Sequence, residues 1–494
     1  MHRNVPCYDF RMIRLFLATA LCVAAQDKLK GIDDAVDAAM KQWQVPGLAL
    51  AVVHNGQVIH SRGYGYRDVE RKLPVTPDTL FAIGSITKSM TALALASLAD
   101  EGKLQWDKPV RDYMPDFRLH DPIASEHTTA IDLLSHRTGL PRHDTMWSTG
   151  LGRREIFARL RYLEPSREFR EAFQYNNLMY LAAGVLAERV SGDSWERLVR
   201  ARVFDPLGMK RANFSAVETQ KTSDFAQTYG LENGTLKAVP LPVNQEAICP
   251  AGCVIAPLTE MTAYLRAHME RGGKGLPSAA QFDRMREPRT ITPAGSIGPE
   301  AMGEGTYGMG LMTLPHRGRK VIFHTGTIGG YHALLAFLPD ENAGVMILQN
   351  RVARPVPQVL SRVIWDKLLG LPPEDWQSIF LKDDKAAEAK AAAERKAIEA
   401  SKIAGTKPSH PLGDYAGSFT HPAYGTVKIE ARETGLRWIF AGNSLTLRHF
   451  HYDTFARGNS ARVQFLTSLD GAIDRVEVKL EPAAPPVVFK RDGK

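Results

Sequence analysis

The spacing of apolar and polar positions changes character several times along the chain, and the changes divide it. Residues 48–62 are apolar on both sides of Asn55-Gly56, a dipeptide suited to a turn with positive φ, which predicts an antiparallel hairpin. Residues 85–101 carry Met90, Leu93, Ala94 and Leu98 at helical spacing and stop at Gly102, which predicts a helix. Residues 130–270 read as mostly helical, with breaks such as Ser191-Gly192. Strands resume at 321–324, 332–338 and 345–349, the last two separated by turn-forming residues 339–344, and a helix over 357–369 follows. Strands at both ends and helices between them predict an α/β domain: one antiparallel sheet flanked by helices, closed by strands distant in sequence, with a helical lobe inserted.

Two further shifts come later. Residues 383–402 are Ala, Glu and Lys almost throughout, without a broad apolar stripe, and read as a solvated helical linker. From Leu412 onward short strands and turns predict a small antiparallel β domain, with Trp438 and Tyr424 in its core. At the other end, Arg11 and Arg14 precede an apolar run over residues 15–25 that closes on Val23-Ala24-Ala25. That pattern reads as an export signal cleaved before Gln26, placing the protein in the periplasm or outside the cell. The run is too short for a permanent membrane span, and Leu21 before Cys22 is too large for a lipoprotein signal. The expected organisation is a signal peptide over 1–25, a main domain over 27–375, a charged helical linker over 376–411 and a β accessory domain over 412–494.

Composition narrows this picture. The 494 residues are 44% hydrophobic and 23% charged, as in an ordinary globular protein. The net charge of +8 is not gathered into a Lys/Arg block, so the expectation is a mildly basic surface and no nucleic-acid partner. Cys7 and Cys22 fall in the leader. Cys249 and Cys253, in C-P-A-G-C, lack neighbouring ligands for zinc; two reduced, half-buried thiols are expected, with a local disulfide left open. No metal or organic cofactor is implied.

Three short motifs carry candidate chemistry. In Ser85-Ile86-Thr87-Lys88 a serine opens an apolar helix and a lysine follows one turn on, on the same face. A desolvated lysine there can give up its proton and take the serine's. In Tyr175-Asn176-Asn177 a phenol and an amide two residues apart can face one cleft: Tyr175 as proton carrier beside the lysine, Asn177 to orient it and bind a carbonyl. In His324-Thr325-Gly326-Thr327, at the end of an apolar strand, the Thr327 N–H is placed to join that of Ser85 in holding an oxyanion. His120-Asp121 and His143-Asp144 read as surface loop pairs.

In order and spacing these motifs resemble the serine β-lactamase and penicillin-binding superfamily, and Tyr-x-Asn in the middle resembles its class C-related branch of D-stereospecific peptidases and esterases. The segments around Phe81–Lys88, residues 133–141 (LLSHRTGLP) and residues 205–209 (DPLGM) are similar to recurring segments of that group. The resemblance covers about residues 30–370. It implies a β-lactamase/transpeptidase-like fold with Ser85 as nucleophile, Lys88 and Tyr175 as its activating partners, and Asn177, His324, Gly326 and Thr327 around substrate and oxyanion. The last domain resembles the small accessory domain that often follows such enzymes.

One departure matters: β-lactamases usually carry Lys-Thr-Gly where this chain has His324-Thr325-Gly326. A neutral histidine is a weaker anchor for a lactam's carboxylate, and one titrating near its usual value would recover part of that anchor at mildly acidic pH. The expectation is an exported serine hydrolase acting through an acyl-enzyme on small amide or ester bonds of a small-molecule or peptide substrate. The alternatives are a β-lactamase or D-Ala-D-Ala carboxypeptidase, and a catalytically silent binding or sensor protein.

Overall fold

The computed structural model describes residues 28–241, 246–294, 304–352, 355–433, 435–458 and 461–493; the expected export signal lies outside them. After a first helix, α1 (Ile32–Gln42), come β1 (Gly47–His54), β2 (Gln57–Asp68), β3 (Leu73–Pro74), β4 (Leu80–Ala82) and α2 (Thr87–Asp100). The middle of the chain holds α3 (Asn177–Ser191), β5 (Thr228–Glu232), β6 (Thr235–Val239), β7 (Ile255–Pro257) and α4 (Leu258–Glu270), among shorter helices. Then follow β8 (Thr290–Thr292), β9 (Gly305–Tyr307), β10 (Met312–His316), β11 (Arg319–Ile328), β12 (Tyr331–Leu338), β13 (Ala343–Gln349), α5 (Pro355–Leu369) and α6 (Trp376–Ala400).

Among the described residues nine strands form the main sheet, in the order β3-β2-β1-β13-β12-β11-β10-β9-β8. The sequence-distant closure is the antiparallel pairing of β1 with β13, from Leu48 opposite Gln349 to His54 opposite Ala343. The continuous apolar run in β1 follows from burial on both faces. Leu48, Leu50 and Val52 pack with Val36 of α1 and Leu360 of α5. Ala49, Ala51 and Val53 alternate onto the opposite face, toward α4 and the helical lobe.

The lobe is more deeply packed than a helical stripe suggests. Every residue from Thr87 to Leu98 of α2 is buried, as is every residue from Asn177 to Ala187 of α3. Three strands depart from the expected helical content: β7, which pairs with β4, and β5 and β6, which form a hairpin across Asn233-Gly234, where Gly234 has φ of +78°. The Asn-Gly dipeptide is a turn signal that the helical reading of residues 130–270 passed over.

α6 begins on the body of the protein, where Trp376 and Phe380 are buried and the Trp376 indole donates to Asp366 Oδ2 at 2.7 Å. Beyond Leu381 it faces solvent, as its Ala/Glu/Lys composition requires. The final β region is a closed barrel of eight antiparallel strands between Gly417 and Arg491. Phe419, Val427, Trp438, Phe465 and Phe489 fill it, and Tyr424 is buried at its edge. Closure removes the free sheet edges that an open sheet would expose.

Candidate active site

Ser85 lies on a single 3-10 turn, Gly84–Ile86, immediately before α2, rather than inside the α-helix. The turn is wedged against the end of β11. Gly84 has φ of +52°, and a Cβ there would lie 2.7 Å from the Thr327 nitrogen. A Cβ on Gly326 would lie 1.8 Å from the Ile83 carbonyl oxygen. Only glycine at both positions lets the strand carrying His324, Gly326 and Thr327 run this close to Ser85.

One turn into the buried helix, the Lys88 amine meets three oxygens: Ser85 Oγ at 2.9 Å, Asn177 Oδ1 at 2.7 Å and the Ala251 carbonyl at 2.8 Å. Lys88 is fully buried, and burial holds it well below the usual lysine range. The charge of Arg142 pushes the same way, and Asp144 opposes it. The Tyr175 ring sits 4.8 Å from the Lys88 nitrogen, and its phenol is near enough to the Ser85 side chain for Ser85 to pull its pKa down. Burial raises that phenol well above its ordinary value, with Ser85 and Arg142 pulling the other way. Burial thus disfavours the charged form of both groups, the tyrosinate and the ammonium.

Asn177 opens α3, with Asn176 capping it by accepting from Met179 N at 3.1 Å. The Asn177 amide nitrogen donates to Asp144 Oδ1 at 2.9 Å. Arg142 Nε donates to Asp144 Oδ2 at 2.6 Å, and its guanidinium lies 5.1 Å from the Tyr175 ring centre. The structure therefore corrects the reading of His143-Asp144 as a surface pair. Asp144 braces the amide that braces Lys88, and His143 is only 3% exposed. A histidine flanked by opposite charges just after Gly139-Leu140-Pro141 was the available signal. His120-Asp121 is peripheral: His120 is exposed, and Asp121 caps the short helix Pro122–His127.

His324 also departs from expectation. It is 1% exposed, and both ring nitrogens are engaged. Nδ1 lies 2.6 Å from the Thr325 carbonyl, which only accepts, so Nδ1 carries the proton and Nε2 accepts from the Tyr307 hydroxyl at 3.0 Å. Burial, helped by the charge of Lys88, pushes its pKa down to about 3. It therefore does not titrate near neutrality, and mild acid does not turn it into a cation. Thr327 is exposed at the strand end, its hydroxyl 2.7 Å from His332 Nδ1.

The two remaining cysteines are joined rather than reduced: Cys249–Cys253 is a disulfide, with Cα atoms 4.5 Å apart. It brackets Pro250 and Ala251, whose carbonyls accept from Thr91 Oγ1 at 2.7 Å and from Lys88. Ala251 escaped the sequence reading because its backbone, not its side chain, does the work. Among the described residues no group of three or more His, Cys, Asp or Glu is placed to hold a metal ion. Nor is any helix among them long and apolar enough to cross a membrane.

Comparisons with known proteins bear on the family and the fold. The model of the family described as Beta-lactamase matches residues 32–368. A second, described as a domain of unknown function (DUF3471), matches residues 401–491. A curated relative named unguisins hydrolase ungD', from Aspergillus campestris, is 29% identical over 80% of this chain and 76% of its own. The octameric penicillin-binding protein homologue from Pyrococcus abyssi superposes with a TM-score of 0.64 at 25% identity, over 94% of this chain and 100% of that one, a span that reaches into the barrel. The D-amino acid amidase from Ochrobactrum anthropi shares the fold, with a TM-score of 0.57 at 23% identity over 69% of this chain and 99% of that one.

Proposed function

Because the chain belongs to the Beta-lactamase family, we propose that this serine hydrolase works through an acyl-enzyme on Ser85 and cleaves small amide or ester bonds. The observation that carries the proposal is the surrounding of Lys88. A neutral amine has two N–H groups and one lone pair. Asn177 Oδ1 and the Ala251 carbonyl accept and cannot donate, so they take the two N–H groups. The lone pair is left for the one partner that can donate, the Ser85 hydroxyl.

In the proposed reaction Ser85 Oγ attacks the substrate carbonyl as its proton moves to Lys88. The N–H groups of Ser85 and Thr327 hold the oxyanion. Collapse breaks the scissile bond, and the Lys88 proton leaves on the amine or alcohol, relayed by the Tyr175 phenol beside Ser85. Lys88, neutral again, takes a proton from the water that attacks the ester and passes it to Ser85 Oγ as the Ser85–acyl bond breaks, so the acid product departs and the serine and the neutral lysine are both restored. No step uses a metal or organic cofactor.

Substrate preference follows from His324. As a buried neutral ring it offers no fixed charge to a substrate carboxylate, and the Arg142 charge is paired with Asp144. Neutral esters and small amides need no such anchor, and the unguisins hydrolase among the relatives supports hydrolysis over silent binding. The test is intact-mass spectrometry after a fluorophosphonate and after a penicillin, with kcat/KM for p-nitrophenyl butyrate and nitrocefin. Expected are stoichiometric labelling on Ser85 by the fluorophosphonate and slow, weak reaction with both lactams. Nitrocefin turnover matching that of the ester would make the protein a β-lactamase. Absence of any Ser85 adduct would remove the acyl-enzyme.

A further inference from the structure

Among the described residues, the barrel region meets the body of the protein at His143, directly beside the site. His143 has φ of +46°, a left-handed conformation unfavourable for a residue other than glycine, which persists where its surroundings hold it. Two of the groups that hold it belong to the barrel region. Tyr424 OH lies 2.8 Å from His143 Nδ1, and Glu481 Oε2 accepts from the His143 backbone N–H at 3.0 Å. On the third side His143 Nε2 lies 3.3 Å from the Glu164 carbonyl. Since that carbonyl only accepts, Nε2 carries the proton and Nδ1 accepts from the tyrosine.

A further link is Arg159 Nη1 donating to the Ala423 carbonyl at 3.0 Å. Beside these contacts lies a cavity of about 280 Å³, lined by His143, Tyr162, Tyr424, Pro485 and Val487 among others. Apolar residues of the lobe and of the barrel otherwise belong to one continuous core, so these polar contacts fix His143 within a packed junction.

The position of His143 in the chain gives this grip its consequence. Its two neighbours are Arg142, over the Tyr175 ring, and Asp144, bonded to the Asn177 amide. We propose that the C-terminal barrel is a working part of the active site: by gripping His143 through Tyr424 and Glu481, it holds Arg142 and Asp144 in place against Tyr175 and Asn177. His143, Tyr424 and Glu481 are positioning residues. They act through Asp144 and Asn177 on the direction of the Lys88 lone pair. The inference rests on the proposed roles of Ser85, Lys88 and Asn177.

The experiment uses the full chain and compares wild type with Tyr424→Phe, Glu481→Ala and Ser85→Ala, and with Ile429→Val as a control. Ile429 is in the barrel core and outside the clasp, so Ile429→Val lowers Tm without touching His143. Tyr424→Phe removes one oxygen and leaves the ring packed, so it carries the test if Glu481→Ala fails to fold. Expected for Tyr424→Phe is a 5- to 20-fold lower kcat on p-nitrophenyl butyrate, with KM within threefold and fluorophosphonate labelling slowed by the same factor. Ile429→Val keeps wild-type kcat despite its lower Tm. If folded Tyr424→Phe and Glu481→Ala both keep kcat within twofold while Ser85→Ala is inactive, the barrel's role is overturned and the proposed chemistry stands. If Ser85→Ala stays active, the proposed chemistry falls, and this inference with it.

Discussion

Asn177 offers a sharp test, because its two amide atoms serve two different partners. Asn177→Ala removes the Oδ1 that accepts from Lys88 at 2.7 Å and the Nδ2 that donates to Asp144 at 2.9 Å. The amine is fully buried, so its freed N–H finds no water and turns toward another acceptor, carrying the lone pair off the Ser85 hydroxyl. Leaving one buried polar group unpaired costs about 1–3 kcal/mol. With the Asp144 carboxylate freed as well, a loss of about 2–3 kcal/mol in the transition state is expected, or about 30- to 150-fold in kcat. A double-mutant cycle locates the effect. If Asp144 acts through Asn177, Asp144→Ala alone lowers kcat, and Asn177→Ala with Asp144→Ala is no worse than Asn177→Ala alone. The assay is steady-state hydrolysis of p-nitrophenyl butyrate at pH 7.5, with circular dichroism and Tm to confirm folding. A folded Asn177→Ala that keeps kcat within threefold of wild type refutes the assignment of Lys88 as an oriented neutral base. Strict additivity in the cycle refutes the relay from Asp144.

Four other outcomes are expected. Ser85→Ala should lower kcat by ~10³-fold or more, and Lys88→Ala nearly as far, because the two act as a unit; retention of half the activity by Ser85→Ala rules the assignment out. Stability should fall with acid: His268 and His324 are buried and held near a pKa of about 3, below the 6.5 of an exposed histidine, so from pH 6.5 down to about 3 the unfolded chain binds protons that the folded one refuses. Each such group removes up to about 1.4 kcal/mol per pH unit, and His268→Phe should flatten the Tm profile between pH 7 and 5, an unchanged slope arguing against it. Reduction of Cys249–Cys253, or Cys249→Ser with Cys253→Ser, should lower kcat several-fold by loosening the turn that offers the Ala251 carbonyl to Lys88; unchanged kcat with the thiols titrated as free would show that the turn holds unaided. The mature protein should begin near Gln26 by N-terminal sequencing of the native form, and a chain retaining residues 15–25 would remove the export signal.

Local periodicity and short spacing carried a large part of this protein into view. The Asn55-Gly56 hairpin, α2, the three strands from residue 319 to 349 and α5 are all local events, governed by turn chemistry and by which neighbours along the chain are apolar. Ser85 and Lys88 were legible for the same reason, since one turn of helix fixes their separation whatever else the fold does. Strand order indicated that sequence-distant strands close one sheet, but that β1 pairs with β13 is seen only in the fold. What the chain pattern does not encode is how far a given polar group ends up from water, or which backbone atom meets it. His143-Asp144 looks like a loop pair until α3 and the barrel close around it. His324 looks like a titrating ring until Tyr307 and the sheet bury it. The Ala251 carbonyl has no side-chain signature at all, and each of the two cysteines beside it reads as an ordinary small buried residue until the turn brings them together. These are properties of long-range packing, where desolvation decides the charge of a group and distance decides its partner, and only the folded chain sets either.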